Sequence, residues 1–312
     1  MTKLELNLDS TVLSHSSCMR RLAWKVIDGY TEPLTSSNII YGVAVHKFID
    51  EMYQTKGNIA AALTAATKAF NVPKLDKARQ GHLSDERHMI ASCMTVWEQW
   101  IKKDTELAVL QAPDGSPMTE VSFSIPFYED DTIKVNLCGT IDTIGKINNG
   151  VYCIRDWKTT SAWDGKEYFS QYELNRQLRI YALAIKLMAK SHPDSIFGTI
   201  GAGKIGAVID GLFVKAAISE CNVKRSEVFL IGDEETNEMH SLITTQCREL
   251  SFAIKSNTFP KTGLLNGTCV GKYGKCLFWN CCKVRPEIVE ILLKREFKQK
   301  AFNPLTYNSD TE

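Results

Sequence analysis

The sequence has almost no net charge, because 37 basic residues stand against 36 acidic ones and leave a formal charge of +1 at pH 7. That balance does not by itself indicate a nucleic-acid binder, so any contact with DNA has to come from a local basic surface. A long apolar run is missing as well, and residues 1–9 do not resemble a signal peptide, so no membrane is expected. We expect a cytoplasmic location, or the host cytoplasm if the protein is viral.

Internal repeats and low-complexity linkers are also missing from the sequence. Its 312 residues suffice for one large domain or two small ones, and a hydrophobic share of 44% allows a sizeable core. The ten cysteines are expected in a reducing compartment, where metal binding is favoured over disulfides.

A β-hairpin is predicted between residues 135 and 158. Apolar β-formers precede both Asp142 and Asp156, and Asn148-Asn149-Gly150 is typical of a tight turn. The hairpin would bring the two carboxylates together, where they repel each other unless a cation lies between them. Mg²⁺ or Mn²⁺ suits such oxygen ligands. Lys158 shares the strand face of Asp156, and a metal beside an ammonium group is suited to phosphodiester hydrolysis.

Three motifs in this order resemble the RecB-like branch of the PD-(D/E)XK nuclease superfamily: Gly139-Thr-Ile-Asp142, Asp156-Trp-Lys158 and Gln177-Leu-Arg-Ile-Tyr181. The sequence is similar there to CRISPR-adaptation and AddB-type nuclease domains and their phage relatives. The resemblance implies an α/β fold with a restriction-endonuclease-like central mixed sheet flanked by helices. It also implies that Asp142, Asp156 and Lys158 are catalytic and that Gln177 and Tyr181 help to position DNA. The alternative is a surface hairpin with solvated charges.

A helix predicted at about residues 36–53 carries Gly42-Val-Ala-Val-His46. This segment resembles the Gly-x-x-x-His segment of the same branch, in which the histidine supplies a further metal ligand. The alternative for a lone histidine is a core residue bonded to a carbonyl. The expected ligands of one or two divalent ions are His46, Asp142, Asp156 and the backbone carbonyl of Trp157.

A second group of candidate ligands is Cys269-x6-Cys276-x5-Cys282, with Cys281 adjacent. The loop has few aliphatic residues and needs a metal or covalent link to hold its shape. Resemblance to the iron–sulfur members of the branch implies a 4Fe–4S cluster held by Cys18, Cys269, Cys276 and Cys282. Six residues separate the first two C-terminal cysteines where the family commonly has two, and the choice between Cys281 and Cys282 stays open. A structural zinc site with the same ligands is the alternative.

Two further helices are predicted, at about residues 11–30 and 166–190. Between the second and the next strand, Gly201, Gly203 and Gly206 match a nucleotide-binding glycine pattern. However, Ile205 stands where a P-loop needs Ser or Thr, and a helix instead of a strand is predicted before the glycines. We therefore expect no nucleotide cofactor.

The predicted organisation is a helical part at residues 1–106, a nuclease core at 107–232, and a C-terminal helix with the cysteine clasp at 233–312, all in one compact nuclease unit. The expected function is a divalent-metal-dependent DNA exonuclease on single-stranded ends, acting in recombination, repair, or phage or CRISPR DNA processing. One alternative is a DNA-binding or recombination-scaffold protein with a nuclease-like fold, inactive without a partner. Another is a nuclease subunit that acts beside a separate helicase or integrase-like partner.

Overall fold

The computed structural model of the chain describes residues 3–15, 17–31, 36–70, 81–162, 165–271, 274–300 and 305. The strands are β1 (Leu4–Leu8), β2 (Tyr30–Thr31), β3 (Leu107–Val109), β4 (Thr119–Glu129), β5 (Ile133–Ile147), β6 (Tyr152–Thr160), β7 (Ile205–Phe213), β8 (Asn222–Arg225), β9 (Phe229–Ile231), β10 (Val270–Gly271), β11 (Gly274–Lys275) and β12 (Lys298–Gln299).

The α-helices among these residues are α1 (Ser10–His15), α2 (Met19–Leu22), α3 (Ser37–Gln54), α4 (Ile59–Ala69), α5 (Glu86–Val96), α6 (Gly165–Ser170), α7 (Arg176–Ser191), α8 (Ile196–Gly201), α9 (Asp233–Lys255), α10 (Gly263–Asn266), α11 (Trp279–Lys283) and α12 (Pro286–Glu296). Short π-helical turns lie at Ala23–Ile27 and Trp97–Ile101, and 3₁₀ turns lie at Gly81–Ser84 and Ile218–Glu220.

One compact unit of the chain draws on Thr35–Ser122 and Thr140–Met239 and contains a mixed sheet. Its strand β6 pairs antiparallel with β5 and parallel with β7. Strand β7 in turn pairs antiparallel with β8 and β9. Every residue of β7 is buried, as expected for a strand whose two faces are both covered.

Helix α3 covers this sheet through one apolar stripe. Ala44, Val45, Phe48, Ile49 and Met52 follow the three- and four-residue spacing of a helix face and are all buried. They share a core cluster with α4, α5 and the sheet. Burying each large side chain contributes about 1.5–3 kcal/mol, so this packing fixes the position of α3 on β6.

The other compact unit draws on Met1–Leu34, Phe123–Gly139 and His240–Asp310. In it β1 pairs parallel with the first residues of β5, from Leu4 opposite Ile133 to Leu8 opposite Leu137. A separate apolar cluster is built around Tyr30 and Phe278. This cluster holds the segment that carries the C-terminal cysteines.

The fold class is α/β, with a central mixed sheet flanked by helices, which confirms the prediction from the sequence. The three-part division along the chain stays a prediction. Among the described residues, no helix combines the length and apolar character that crossing a membrane requires.

The single helix predicted at residues 11–30 is wrong, because the chain breaks between α1 and α2. Cys18 at the break has extended backbone, with φ −136° and ψ 105°. The next two backbone amides bond to residues far away in the sequence. The Met19 amide donates to the Thr262 hydroxyl, and the Arg20 amide donates to the Pro260 carbonyl. These bonds across the sequence replace those that a continuous helix would make.

The single helix predicted at residues 166–190 is also two helices, α6 and α7. Asn175 lies between them in extended backbone, and its side-chain oxygen accepts hydrogen bonds from the amides of Gln177 and Leu178. This is an N-terminal cap, which starts a helix and does not continue one. The cap places Gln177 in the first turn of α7.

Candidate metal and cysteine sites

The predicted hairpin is formed by β5 and β6. Its antiparallel register places Thr143 opposite Arg155 and Ile144 opposite Ile154. Extending this register by one residue pairs Asp142 with Asp156, and the charge of Asp142 is close enough to raise the pKa of Asp156. The hairpin prediction is therefore confirmed, and it brings the two carboxylates to neighbouring positions.

Asp142 and His46 are held by the backbone of Trp157. The Trp157 amide donates to Oδ2 of Asp142 at 2.7 Å, and the Trp157 carbonyl lies 3.0 Å from Nε2 of His46. Nδ1 of His46 lies 3.5 Å from Oδ2 of Asp142. A hydrogen bond from Nε2 to the carbonyl leaves Nδ1 as the ring nitrogen that can bind a metal. His46 can thus bind a metal through Nδ1 while its Nε2 is bonded to a backbone carbonyl. The structure is therefore compatible with both interpretations of this histidine. The Trp157 carbonyl as a metal ligand stays a prediction.

Gly42 explains how His46 reaches β6. A Cβ atom at this position would lie 3.2 Å from Oγ1 of Thr159, which is closer than most such contacts. The missing side chain lets α3 approach the strand, and His46 follows four residues later on the same helix face. The Gly-x-x-x-His spacing therefore has a packing reason in this structure.

Glu120 joins this group, although the sequence pattern gave it no role. Its Oε1 lies 3.9 Å from Nδ1 of His46, and ligand atoms of His46, Glu120 and Asp142 all lie within 4.8 Å of one another. Its φ of 47° is in the left-handed region, which is costly for a residue with a side chain. Such strain marks functional positions, but it becomes visible only in the backbone. The sequence shows only an acidic residue near the start of a strand.

Asp156 and Lys158 lie on the same face of β6 and are paired. Asp156 is 1% exposed, and its Oδ2 lies 2.5 Å from Nζ of Lys158. Its Oδ1 accepts no hydrogen bond from any described residue. Burial would lower the pKa of Lys158, but the charges of Asp156 and Asp142 offset this and raise it. Lys158 is therefore a cation at neutral pH.

The acidic side chains repel each other in the absence of a cation. Burial and the charge of Asp142 raise the pKa of Glu120 to about 7. Burial also raises the pKa of Asp156 to about 6, helped by Asp142 and opposed by Lys158. An unpartnered buried carboxylate oxygen, two further carboxylates and an imidazole nitrogen make a donor set that fits Mg²⁺ or Mn²⁺.

Gln177 and Tyr181 extend this group from α7. Nζ of Lys158 donates to Oε1 of Gln177 at 3.3 Å, and Nε2 of Gln177 donates to the Tyr181 hydroxyl at 2.8 Å. The two residues are one helical turn apart, so they share the face that meets Lys158. The structure thus brings His46, Asp142, Asp156, Lys158, Gln177 and Tyr181 together, and it adds Glu120.

The opposite face of β6 is fixed by buried ion pairs. Arg155 has no exposed surface and contacts the carboxylates of Asp104 and Asp210. Arg225 on β8 contacts the same two carboxylates. Because side chains alternate along a strand, anchoring Arg155 also fixes the direction in which Asp156 points.

The four predicted cluster ligands lie around one pocket of about 130 Å³ in the compact unit that contains Tyr30 and Phe278. Cys18, Cys269, Cys276 and Cys282 all line it, together with Lys261. The Cys276 amide donates to the Cys269 carbonyl at 2.8 Å. Burial raises the pKa of the Cys269 and Cys282 thiols, and nearby Cys18 and Cys276 raise it further. Four thiols that line one pocket can share a metal, and binding would require them to lose their protons.

The adjacent Cys281 points elsewhere. It is 1% exposed and packs in the apolar cluster with Tyr30, Phe278 and Leu293. Burial raises the pKa of its thiol to about 11. Cys282 lines the pocket and Cys281 does not, so the structure favours Cys282 as the ligand.

The remaining cysteines are buried apart from this pocket, at Cys93, Cys138, Cys153, Cys221 and Cys247. Burial raises the pKa of the Cys93, Cys153 and Cys247 thiols to about 12. Thiols of this kind are inert core residues.

Two solved structures are similar to this chain over most of its length. A structure described as "Putative exonuclease" from Eubacterium rectale has a TM-score of 0.47 and 9% sequence identity, with 92% of this chain and 91% of that chain covered. The structure of SSO0001 has a TM-score of 0.25 and 12% identity, with 77% of this chain and 84% of that chain covered. No curated protein sequence matches the chain.

The family model of the PD-(D/E)XK nuclease superfamily matches residues 10–283. The matched range contains both the group around Asp142 and the four cysteines around the pocket. Because the match spans most of the 312 residues, this chain belongs to the PD-(D/E)XK nuclease superfamily.

Proposed function

We propose that this nuclease is a divalent-metal-dependent deoxyribonuclease that removes nucleotides from single-stranded DNA ends. The observation that carries the proposal is the convergence of His46, Glu120 and Asp142 within 4.8 Å, beside the buried pair of Asp156 and Lys158. Preference for ends and for single strands rests on the resemblance of the motifs to the RecB-like branch.

In the proposed mechanism His46, Glu120, Asp142 and Asp156 hold one or two Mg²⁺ or Mn²⁺ ions. A bound ion supplies a water of lowered pKa and polarises the scissile phosphate. The Lys158 ammonium orients the attacking water or stabilises the negative charge that develops on the phosphate. Gln177 accepts a hydrogen bond from Lys158 and so fixes the direction of the ammonium group. Attack in line with the leaving oxygen would leave a 5′-phosphate.

The proposal includes a 4Fe–4S cluster held by Cys18, Cys269, Cys276 and Cys282. The four thiols line one pocket of about 130 Å³, which supports a shared metal site. The choice of a cluster over a single structural zinc ion rests on the resemblance to the iron–sulfur members of the RecB-like branch.

A separate helicase or recombination protein would supply single-stranded ends in the cell under this proposal. Cleavage by the purified chain alone would show that such a partner is not required for the chemistry. No feature of the described residues favours a purely DNA-binding scaffold, since the acidic group and Lys158 are both in place.

The test is cleavage of end-labelled DNA by the purified protein in Mg²⁺, in Mn²⁺ and in EDTA. We expect linear single strands to be shortened from an end with either metal, while EDTA stops the reaction. Circular single strands of the same sequence should stay intact, because they offer no end. Asp142→Asn and Asp156→Asn are expected to be inactive.

Four results would contradict the proposal. Cleavage in EDTA, or by Asp156→Asn at the wild-type rate, would exclude the metal role of the acidic group. Cutting of the circular strand would make the enzyme an endonuclease. Faster shortening of double-stranded ends would reject the preference for single strands.

A further inference from the structure

The face of β6 that carries Asp156 and Lys158 continues to Thr160. Side chains repeat on one strand face every two residues, about 6.6 Å apart. A strand of nucleic acid that binds with one phosphate at Lys158 and follows β6 would therefore bring a neighbouring phosphate near Thr160. That separation is comparable to the distance between successive phosphates in an extended single strand.

The Tyr168 hydroxyl lies at this end of the face. It is 2.9 Å from the Tyr172 hydroxyl, and the Thr160 side chain is close enough to affect its pKa. It is also close enough to Lys158 to affect the pKa of that ammonium group. The hydroxyls of Thr160, Tyr168 and Tyr172 thus form a group near Lys158.

The Tyr168 ring is fixed by aromatic packing on several sides. Its centroid lies 5.6 Å from those of Phe169 and Phe213, and 5.5 Å from that of Tyr172, all in edge-to-face geometry. Because the ring is engaged in this way, stacking on a nucleobase is the less suitable role. The hydroxyl is the part that reaches the face of β6.

We propose that the hydroxyls of Tyr168 and Thr160 bind the phosphodiester next to the scissile one. Neutral hydroxyls are common donors to phosphate oxygens, and they fix the register of a strand without reading its sequence. Burial raises the pKa of Tyr168, so its hydroxyl keeps its proton and remains a donor. The inference rests on the proposed function and adds a second phosphate position to it.

The test uses short end-labelled single strands in which one linkage at a time carries a neutral methylphosphonate. We expect one position next to the cut linkage at which this change lowers kcat/KM of the wild-type protein by about tenfold, as for a lost hydrogen bond to a charged group. Tyr168→Phe should lower kcat/KM on ordinary DNA by about tenfold, mainly through KM. The methylphosphonate at that position should cause a smaller loss in this variant than in the wild type, because only the Thr160 contact remains to be lost.

Two further variants check the assignment. Thr160→Val should lose affinity, and Thr160→Ser, which keeps the hydroxyl, should restore it. Tyr128→Phe is the matched control, since Tyr128 bonds to Asp130 in the other unit, and it should cleave like the wild type.

The two proposals can fail separately. A wild-type protein that cleaves no DNA with any metal would reject the proposed function itself. An active wild type that tolerates methylphosphonate at every neighbouring linkage would reject only the second phosphate position, whatever the variants do. The same conclusion would follow if Tyr168→Phe and the methylphosphonate each lowered kcat/KM and their effects multiplied.

Discussion

Lys158 is the residue at which binding and cleavage can be separated. Lys158→Ala should lower the cleavage rate by about two to three orders of magnitude, because it removes a cation that stabilises the transition state. Affinity for DNA should change little, since this contact strengthens only during the reaction. Single-turnover cleavage and DNA binding, measured on the same preparation, check both parts.

The matched control for this change is Lys146→Ala. Lys146 is an exposed lysine on β5 of the same hairpin and should be dispensable. Cleavage by Lys158→Ala within tenfold of the wild-type rate would remove Lys158 from the mechanism.

The raised pKa of Glu120 predicts how the stability of the protein depends on pH. Its pKa is raised from 4.5 to about 7 in the folded protein, so the folded state holds a proton that the unfolded chain releases near 4.5. The contribution of Glu120 to stability is therefore lost as the pH rises from about 4.5 to 7. In metal-free protein, Glu120→Gln should raise the melting temperature more at pH 8 than at pH 5.

Bound divalent metal should have the opposite effect on how the melting temperature depends on pH. Binding requires deprotonated ligands, so Mn²⁺ should raise the melting temperature of the wild type more at pH 8 than at pH 5. Glu120→Gln should reduce this gain. Equal melting temperatures for wild type and Glu120→Gln at both pH values would show that the acidic side chains do not repel each other as the structure implies.

At the scale of the elements, the close approach of α3 to β6 is the feature on which His46 depends. Gly42→Val should push the helix away from Thr159, weaken Mn²⁺ binding and lower cleavage by about tenfold or more, since small displacements of positioned groups are costly. Calorimetric titration with Mn²⁺ and cleavage rates provide the measurement.

Gly203→Val is the comparison for that change. A Cβ at Gly203 has no atom within 4 Å, so this variant should bind metal normally. If both glycine variants kept wild-type Mn²⁺ affinity, the distance between α3 and β6 would not control the metal site.

The elements also show what the sequence can and cannot predict. The β5–β6 hairpin was predictable because alternating apolar residues and an Asn-Asn-Gly turn specify it locally. The break between α6 and α7 at Asn175 was not predictable, because an asparagine inside a helical pattern can be either an N-terminal cap or a tolerated interior residue. The role of Glu120 depends on a left-handed backbone and on contacts with residues far away in the sequence, and neither leaves a local pattern.

At the scale of the whole molecule, we expect changes at the cysteine site to affect the stability of the protein more than its rate of DNA cleavage. Protein purified without oxygen should be brown, with equal amounts of iron and sulfide. Cys18→Ala or Cys276→Ala should give pale and poorly soluble protein, because a link between residues far apart in the sequence is lost. Iron and sulfide analysis and thermal unfolding measure this.

Cys281→Ala is the sharpest control, because it alters the residue next to the proposed ligand Cys282, and Cys281 does not line the pocket. It should keep the colour, as should single changes at Cys93, Cys153, Cys221 and Cys247. Colourless protein with one zinc per chain would replace the cluster by the zinc site.

The position of Cys18 also has a consequence for synthesis in the cell. The ribosome releases this thiol about 250 residues before Cys269, the next of its pocket partners. At roughly 5–20 residues per second, the wait lasts roughly 10 to 50 s. During that time the other three thiols of the pocket have not been made, so Cys18 cannot share the proposed metal with them and is open to oxidation. Damage in this interval would occur before the pocket can form, so oxidative stress during synthesis should lower the yield of newly made enzyme.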